Sequence, residues 1–297
     1  MRVRFWGVRG SLPVPGAKTE RYGGNTSCVE VRCGNQIIMF DCGSGAREMG
    51  LALAQEFKGK PLELNLLVTH THWDHIQGFP FFVPAYTPGT KINIYSLRGS
   101  DKSLERVFTG QMDASYFPVA LGDMMAHLNF VEIEGDLKLG DASITHLYLN
   151  HPGLAVGFRV FAGEQSMVYL TDHEPYTKLS GDNDHNRKLE AEICDFIHGT
   201  DLYIREAQYT EEEYAGKKGW GHSTWRDAAD SAHRGNVKRL ALYHHDPMHN
   251  DDAIDDIVRQ CQGYMKEKGM SFECFAAADN QVVRLEPQRV AASGVGQ

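Results

Sequence analysis

Four side chains able to hold a metal ion fall within six residues of the run VTHTHWDH: His70, His72, Asp74 and His75. Imidazole nitrogen and carboxylate oxygen together suit zinc and other borderline divalent ions. On a helix this spacing would scatter the four groups around the circumference. In a tight loop directly after a strand they can converge, and the apolar run at 62–69 supplies such a strand. A solvated polar loop is the ordinary alternative, and four groups so close behind an apolar run argue against it. Three further groups stand in the same relation to apolar runs: Asp172 after 167–171, Glu206 after 202–205 and His244 after 240–243. A group at a strand's end is held firmly while the loop beyond it stays open to substrate.

The elements that must position these groups are short. Strands are expected at 3–6, at 27–32 and 36–40 as a hairpin around Gly34-Asn35, and at 62–69. A turn at Asp41 leads into a helix over 47–57. The stretch 79–128 mixes aromatics with prolines and is irregular, which suits a lid, a pocket wall or a subunit contact. A second series of strands is expected at 128–133, 142–149, 155–161, 167–171, 202–205 and 240–243, with final strands at 272–276 and 281–285. Helices are expected over 187–197 and over 224–233, the latter capped by Ser223 or Thr224 and stopped at Gly235. Ile254, Ile257, Val258, Cys261 and Met265 mark one helical face. No break in composition marks a linker. The reading is an α/β chain with one domain over 1–286, an irregular insert at about 79–128 and a flexible tail from 287 to 297.

Composition bounds the function. The net charge of −9 disfavours a duplex nucleic-acid binder, although a local basic patch can survive a negative total. No run approaches the roughly 18 apolar residues of a membrane span, so a cytoplasmic protein is expected. Six cysteines in 297 residues are too few for a disulfide scaffold.

The run from His70 to His75 matches the H-x-H-x-D-H signature of the metallo-β-lactamase superfamily. FDCGSG around Asp41, LNHPG around His151, YLTDH around Asp172 and ALYHHD around His244 resemble that family's other motifs, and the resemblance runs from about residue 2 to 285. It implies a four-layer αββα sandwich and two divalent metal ions, expected to be Zn2+, with Mn2+ or Fe as alternatives. One ion would take His70, His72 and His151, the other Asp74, His75 and His244, with Asp172 and a hydroxide bridging both. The doubled histidine leaves His244 and His245 as rival last ligands. The family's pattern favours His244 and leaves His245 beside the ligands or facing substrate. Asp41 and Thr69 would orient ligand imidazoles, though Asp41 could instead cap the helix after it.

YIREA around Glu206 followed by GWGHST around His222 resembles the phosphodiesterase side of the superfamily, which includes tRNA 3′-processing nucleases. That resemblance makes His222 the general acid, with Glu206 orienting it, in a catalytic set that also includes Asp74. An alkoxide departs badly without a proton, and imidazole can supply one near neutral pH. The tRNA-gripping arm of those nucleases is missing between His151 and Asp172. The expected substrate is therefore a small phosphodiester, a 3′,5′-cyclic nucleotide hydrolysed to the monophosphate. Tyr86, Tyr116 and Phe117 could wall in a base, or belong to a core or an interface; Arg9, Lys18 and Arg21 are isolated cations that could meet a phosphate. The alternatives are an RNA 3′-processing endonuclease, a lactonase or other acyl hydrolase of the same superfamily, and a non-enzymatic binding module. A homodimer is expected, with no membrane partner.

Overall fold

The apolar runs pair into two sheets in a computed structural model that describes residues 1–97 and 103–286; the tail expected from 287 lies outside the described residues. The first sheet contains β1 (Arg2–Gly7), β2 (Cys28–Cys33), β3 (Gln36–Phe40), β4 (Glu63–Leu67), β5 (Lys91–Leu97) and β6 (His127–Ile133). The second contains β7 (Leu137–Leu139), β8 (Ala142–Leu149), β9 (Ala155–Ala162), β10 (Gln165–Leu170), β11 (Leu202–Glu206), β12 (Arg239–Tyr243) and β13 (Glu273–Ala276). A last strand, β14 (Val282–Arg284), returns to pair with β1, so each sheet has seven strands. Both sheets are mixed. The pairs β3–β4, β4–β5 and β5–β6 are parallel, as are β10–β11, β11–β12 and β12–β13.

Three apolar clusters set the layers. Val3, Val31, Phe40, Phe158, Tyr169 and Ile204 lie between the sheets. Helices α1 (Ala46–Glu56), α2 (Trp73–Ile76) and α3 (Leu104–Gln111) lie in the first half of the chain, and Met49, Leu53 and Phe108 seal the outer face of the first sheet. Of α4 (Tyr176–Ser180), α5 (Asp184–Ile197), α6 (Glu211–Tyr214), α7 (Trp225–Arg234) and α8 (Asp251–Lys268), the three long ones cover the second sheet through Ile193, Ala228, Ala232, Ile257 and Cys261. The result is the four-layer αββα sandwich.

The structure departs from the expectations mainly at 79–128. That stretch holds β5 and α3, with one-turn 3-10 helices at Phe79–Phe81 and Val83–Tyr86. Strand β5, KINIYSL, is covered on both faces, with Ile92 and Ile94 in the outer cluster and Tyr95 and Leu97 between the sheets. The flanking prolines and glycines hide it, because they belong to the turns on either side. Thr224 rather than Ser223 caps α7. Its hydroxyl accepts from the Asp227 amide, and the Asp227 carboxylate accepts from Thr224 N. Such a cap contributes about 1 kcal/mol and fixes where the preceding loop enters the helix.

Candidate metal centre

Parallel strands present their carboxyl ends on one edge, where side chains from different strands can meet. The segment after β3 supplies Asp41, that after β4 supplies His70 to His75, that after β8 supplies His151, and those after β10 and β12 supply Asp172 and His244. Asp41, Asp172 and His244 have positive φ, at 56°, 38° and 58°. A non-glycine residue pays about 1 kcal/mol or more for that conformation. Each kink turns the chain sharply off its strand at a buried polar side chain.

The groups converge. Ligand atoms of His70, His72, His151 and Asp172 lie within 4.8 Å of one another, as do those of Asp74, His75 and His244. Asp172 joins the two sets. Its Oδ2 is 3.6 Å from His70 Nε2 and 3.7 Å from His151 Nε2, and its Oδ1 is 3.4 Å from His75 Nε2 and 3.3 Å from His244 Nε2. Asp74 Oδ2 stands 3.1 Å from His244 Nε2 and accepts a 2.7 Å bond from Ser11 N.

The far sides of four of the imidazoles, all but His72, are tied down. His75 Nδ1–H donates to Asp41 Oδ2 at 2.8 Å, His151 Nδ1–H to the Gly221 carbonyl at 2.9 Å and His244 Nδ1–H to Gln208 Oε1 at 2.9 Å. His70 Nδ1 lies 3.2 Å from the Thr69 hydroxyl, which itself donates to Asp41. These contacts fix the tautomers and leave the Nε2 lone pairs facing inward. Asp41 also accepts from Thr69 N and Tyr169 Oη, so it holds ligands rather than capping α1, whose N-terminus has no side-chain cap.

The electrostatics suit a cation. Burial lowers the basicity of His75, but Asp74, Asp172 and Asp41 outweigh it and hold the ring well above its usual range. Burial would raise Asp172, yet His244, His75 and His70 hold it well below the carboxylate range. The His70 Nε2 atom is buried with no hydrogen-bond partner. His75 Nε2 and His244 Nε2 face each other at 3.3 Å, and His151 Nε2 faces His72 Nδ1 at 3.0 Å. Clustered imidazoles with two central carboxylates have the donor chemistry of a binuclear divalent-metal site. The residues present fit two such ions.

The rival histidine is turned elsewhere. The His245 ring is buried, bonds the Ala277 carbonyl at 2.9 Å and lies edge-on to Tyr22, so it faces neither the ligand set nor the cleft. His222 does reach the centre. It stacks on His244 with ring centroids 5.2 Å apart, and its Nδ1 is 3.9 Å from Asp172 Oδ2 with no hydrogen-bond partner. Burial depresses its pKa to about 4, against the pull of Asp172 and Glu206. Glu206 does not bond the imidazole in any contact found among the described residues. Its carboxylate accepts from Ser223 N at 2.7 Å and pairs with Arg205 at 3.0 Å, so it grips the backbone beside His222.

A cleft of about 490 Å³ opens on the centre, lined by Ser11, Thr71, His72, Trp73, Asp74, Asp172 and His222. Tyr86, Tyr116 and Phe117 do not line it. Tyr86 donates to the Pro80 carbonyl, Phe117 packs edge-on against Phe81, and Tyr116 is 82% exposed elsewhere. Tyr86 and Phe117 pack instead against the apolar cluster on the outer face of the first sheet. Two of the three lone cations are committed: Arg9 is buried on the carbonyls of Gly23, Asp246 and His249, and Arg21 pairs with Asp252 and Asp255; Lys18 does not line the cleft. Sequence reasoning missed Ser11, Gln208 and Gly221. Gly10 carried a readable signal, since a Cβ there would sit 2.4 Å from the His244 ring.

A family model described as a beta-lactamase superfamily domain matches residues 36–245. Ribonuclease Z of Clostridium perfringens is 26% identical over 296 residues, covering 84% of this chain and 90% of that protein. Among solved structures, human tRNase Z, short form, superposes with a TM-score of 0.63 at 20% identity, over 97% of this chain and 100% of the other. Unliganded yeast PDE1 superposes with a TM-score of 0.68 at 12% identity, over 96% and 99%. At such identities these two structures speak for the fold.

Proposed function

The chain belongs to the β-lactamase superfamily, and on that premise we propose that this metal-dependent hydrolase is a phosphodiesterase acting on nucleotide phosphodiesters. The observation that carries the reading is His222, unpartnered at Nδ1 and lining the same cleft as Asp74 and Asp172. Two divalent cations, when bound, supply Lewis-acid charge and lower the pKa of a water. The chain does the rest. His70, His72, His151, Asp172, Asp74, His75 and His244 hold the ions, and the buttress of Asp41 and Thr69 keeps those ligands in place. Glu206 fixes the backbone at Ser223 and with it the position of His222. The imidazole is neutral at rest, because burial keeps its pKa low. To serve as the acid it must carry a proton when substrate is bound, and its Nδ1 has no other partner. An acyl hydrolase would have less use for this group.

The curated relatives named Ribonuclease Z support an RNA phosphodiester over the 3′,5′-cyclic nucleotide expected from the sequence. The small substrate keeps two supports: the net charge of −9, and the short turn that joins β9 to β10 where a gripping arm would stand. We take zinc as the resident ion from the donor set, a cytoplasmic setting, and a homodimer in which a second copy covers exposed Phe81 and Tyr116. Among the described residues no helix is long and apolar enough to cross a membrane.

The test is hydrolysis by the metal-loaded chain of 3′,5′-cyclic nucleotides, 2′,3′-cyclic nucleotides, a precursor tRNA and a simple lactone. Turnover of any phosphodiester, abolished by chelation and restored by metal, supports the class, and the preferred member names the substrate. Turnover of the lactone alone would overturn it.

A further inference from the structure

The cleft is chemically lopsided. Six of its seven lining residues are polar, and the seventh is Trp73. That indole is 79% exposed although its neighbours Asp74, His75 and Ile76 are buried. The cause is geometric. The backbone from His72 to His75 is fixed by the convergence of its metal-binding groups, so the side chain between them is held at the mouth and cannot turn into the core. No ring contact involving Trp73 is found among the described residues. An apolar ring of this size in water, at the rim of a polar cleft, is a surface awaiting a partner. The cleft also has no lysine or arginine in its lining, so a substrate gains no cationic grip there beyond the metal ligands' own ions.

We propose that Trp73 is the stacking platform for a nucleobase, and thus the specificity-determining residue of the cleft. This rests on the phosphodiesterase reading above and deepens it by naming the aromatic part of the substrate. The phosphoryl group would meet the divalent ions that Asp74 and Asp172 would hold at the polar floor, beside His222. The indole takes the ring attached to that group through the sugar. Every base has a π-face, so a platform of this kind tolerates different bases and discriminates against diesters that carry none. Trp220, 61% exposed two residues before His222, offers a second ring on the loop that carries the proton donor. It is kept outside the proposal because it does not line the cleft.

The test is calorimetric titration of the metal-loaded chain with adenosine 5′-monophosphate and with ribose 5-phosphate, which shares the phosphate and lacks the base. The wild type is expected to bind the nucleotide about tenfold more tightly or better, in line with one base–aromatic stack. Trp73→Ala should bring that ratio close to one, and Trp73→Phe should retain most of it. The exposed side chain contributes little to the core, and Trp73→Phe controls for loss of the fold. Tryptophan fluorescence gives the location. Of the four tryptophans, Trp6 and Trp225 are buried, so saturable quenching by the nucleotide should vanish in Trp73→Ala and survive in Trp220→Ala. No nucleotide binding, a wild-type ratio of one, or a ratio unmoved by Trp73→Ala would overturn the proposal. The two readings fail separately: phosphodiester turnover with a ratio of one removes the platform alone, and a Trp73-dependent ratio without turnover removes the phosphodiesterase and leaves a nucleotide site.

Discussion

At the scale of single residues, Asp41 does more than its place before a helix suggests. One carboxylate takes bonds from His75 Nδ1, Thr69 N, Thr69 Oγ1 and Tyr169 Oη. It therefore fixes one ligand directly and a second, His70, through the threonine. Asparagine is the sharp test, because it tolerates the left-handed backbone that Asp41 adopts at φ 56°. Asp41→Asn keeps the shape but removes the charge and one acceptor. Metal affinity should fall by about 10- to 100-fold, read by chelator competition, while the folded spectrum is retained. Unchanged affinity would mean that the carboxylate is only a structural plug. The histidines and aspartates that converge were legible, because their spacing and their position behind apolar runs are local facts. The partners that orient them were less so. Gln208 and the Gly221 carbonyl reach His244 and His151 across 36 and 70 residues, and no local pattern encodes such contacts. Glu206 was found, yet its expected bond to the His222 ring is replaced by one to the next backbone amide.

At the scale of elements, the loop between α6 and α7 brings His222 to the centre, and Gly221 makes that approach possible. Its φ is +87°, and a Cβ would lie 2.2 Å from His151 Nδ1. Both the backbone and the space exclude a side chain. Gly221→Ala should displace His151 and His222 together, lowering bound metal and turnover at once, as metal analysis beside a rate assay would reveal. Loss of turnover with full metal content would separate the loop from the ligand set. Strand ends were readable to within a few residues, since alternation and β-branched runs report burial directly. Helices α4 and α6 were not. Four or five residues are too few for a helical period to register; α6 is held by the capping box of Thr210 and Glu213, whereas α4 has no side-chain cap and its Tyr176 amide donates to Glu190 of α5. Strand β5 was lost among turn residues for the reason already given.

At the scale of the molecule, the first loop ties the N-terminal strand to the far end of the chain. Arg9 is buried under it and Asp279 is half-buried, with Asn25 N and Nδ2 donating to Asp279 Oδ2. Burial pushes the Asp279 carboxyl up to about 7, despite those two bonds and the Arg9 charge. A pKa raised above its unfolded value contributes stability that is complete below about pH 4 and is lost as the pH rises through 7. Asp279→Asn retains an acceptor for Asn25 and cannot ionise. Its Tm relative to the wild type should climb between pH 5 and pH 8, and a difference that stays flat would show that Asp279 is ionised throughout. The layered architecture follows from the two sets of strands and the helical faces, whereas the closeness of residues 9 and 279 is a product of the fold alone. It brings the opening loop over the centre, where Ser11 N meets Asp74.

His222 is assigned to protonating the leaving oxygen rather than to holding an ion, although its ligand atom lies within 4.8 Å of those of Asp172 and His244. The direct measurement is turnover by His222→Ala of an unactivated nucleotide diester and of bis(p-nitrophenyl) phosphate, with bound metal determined on the same sample. The expected result is full metal content, a loss of about 10²- to 10⁴-fold on the unactivated diester, and a much smaller loss on the activated one, whose leaving group departs without a proton. Equal losses on both substrates, or loss of the metal itself, would contradict it.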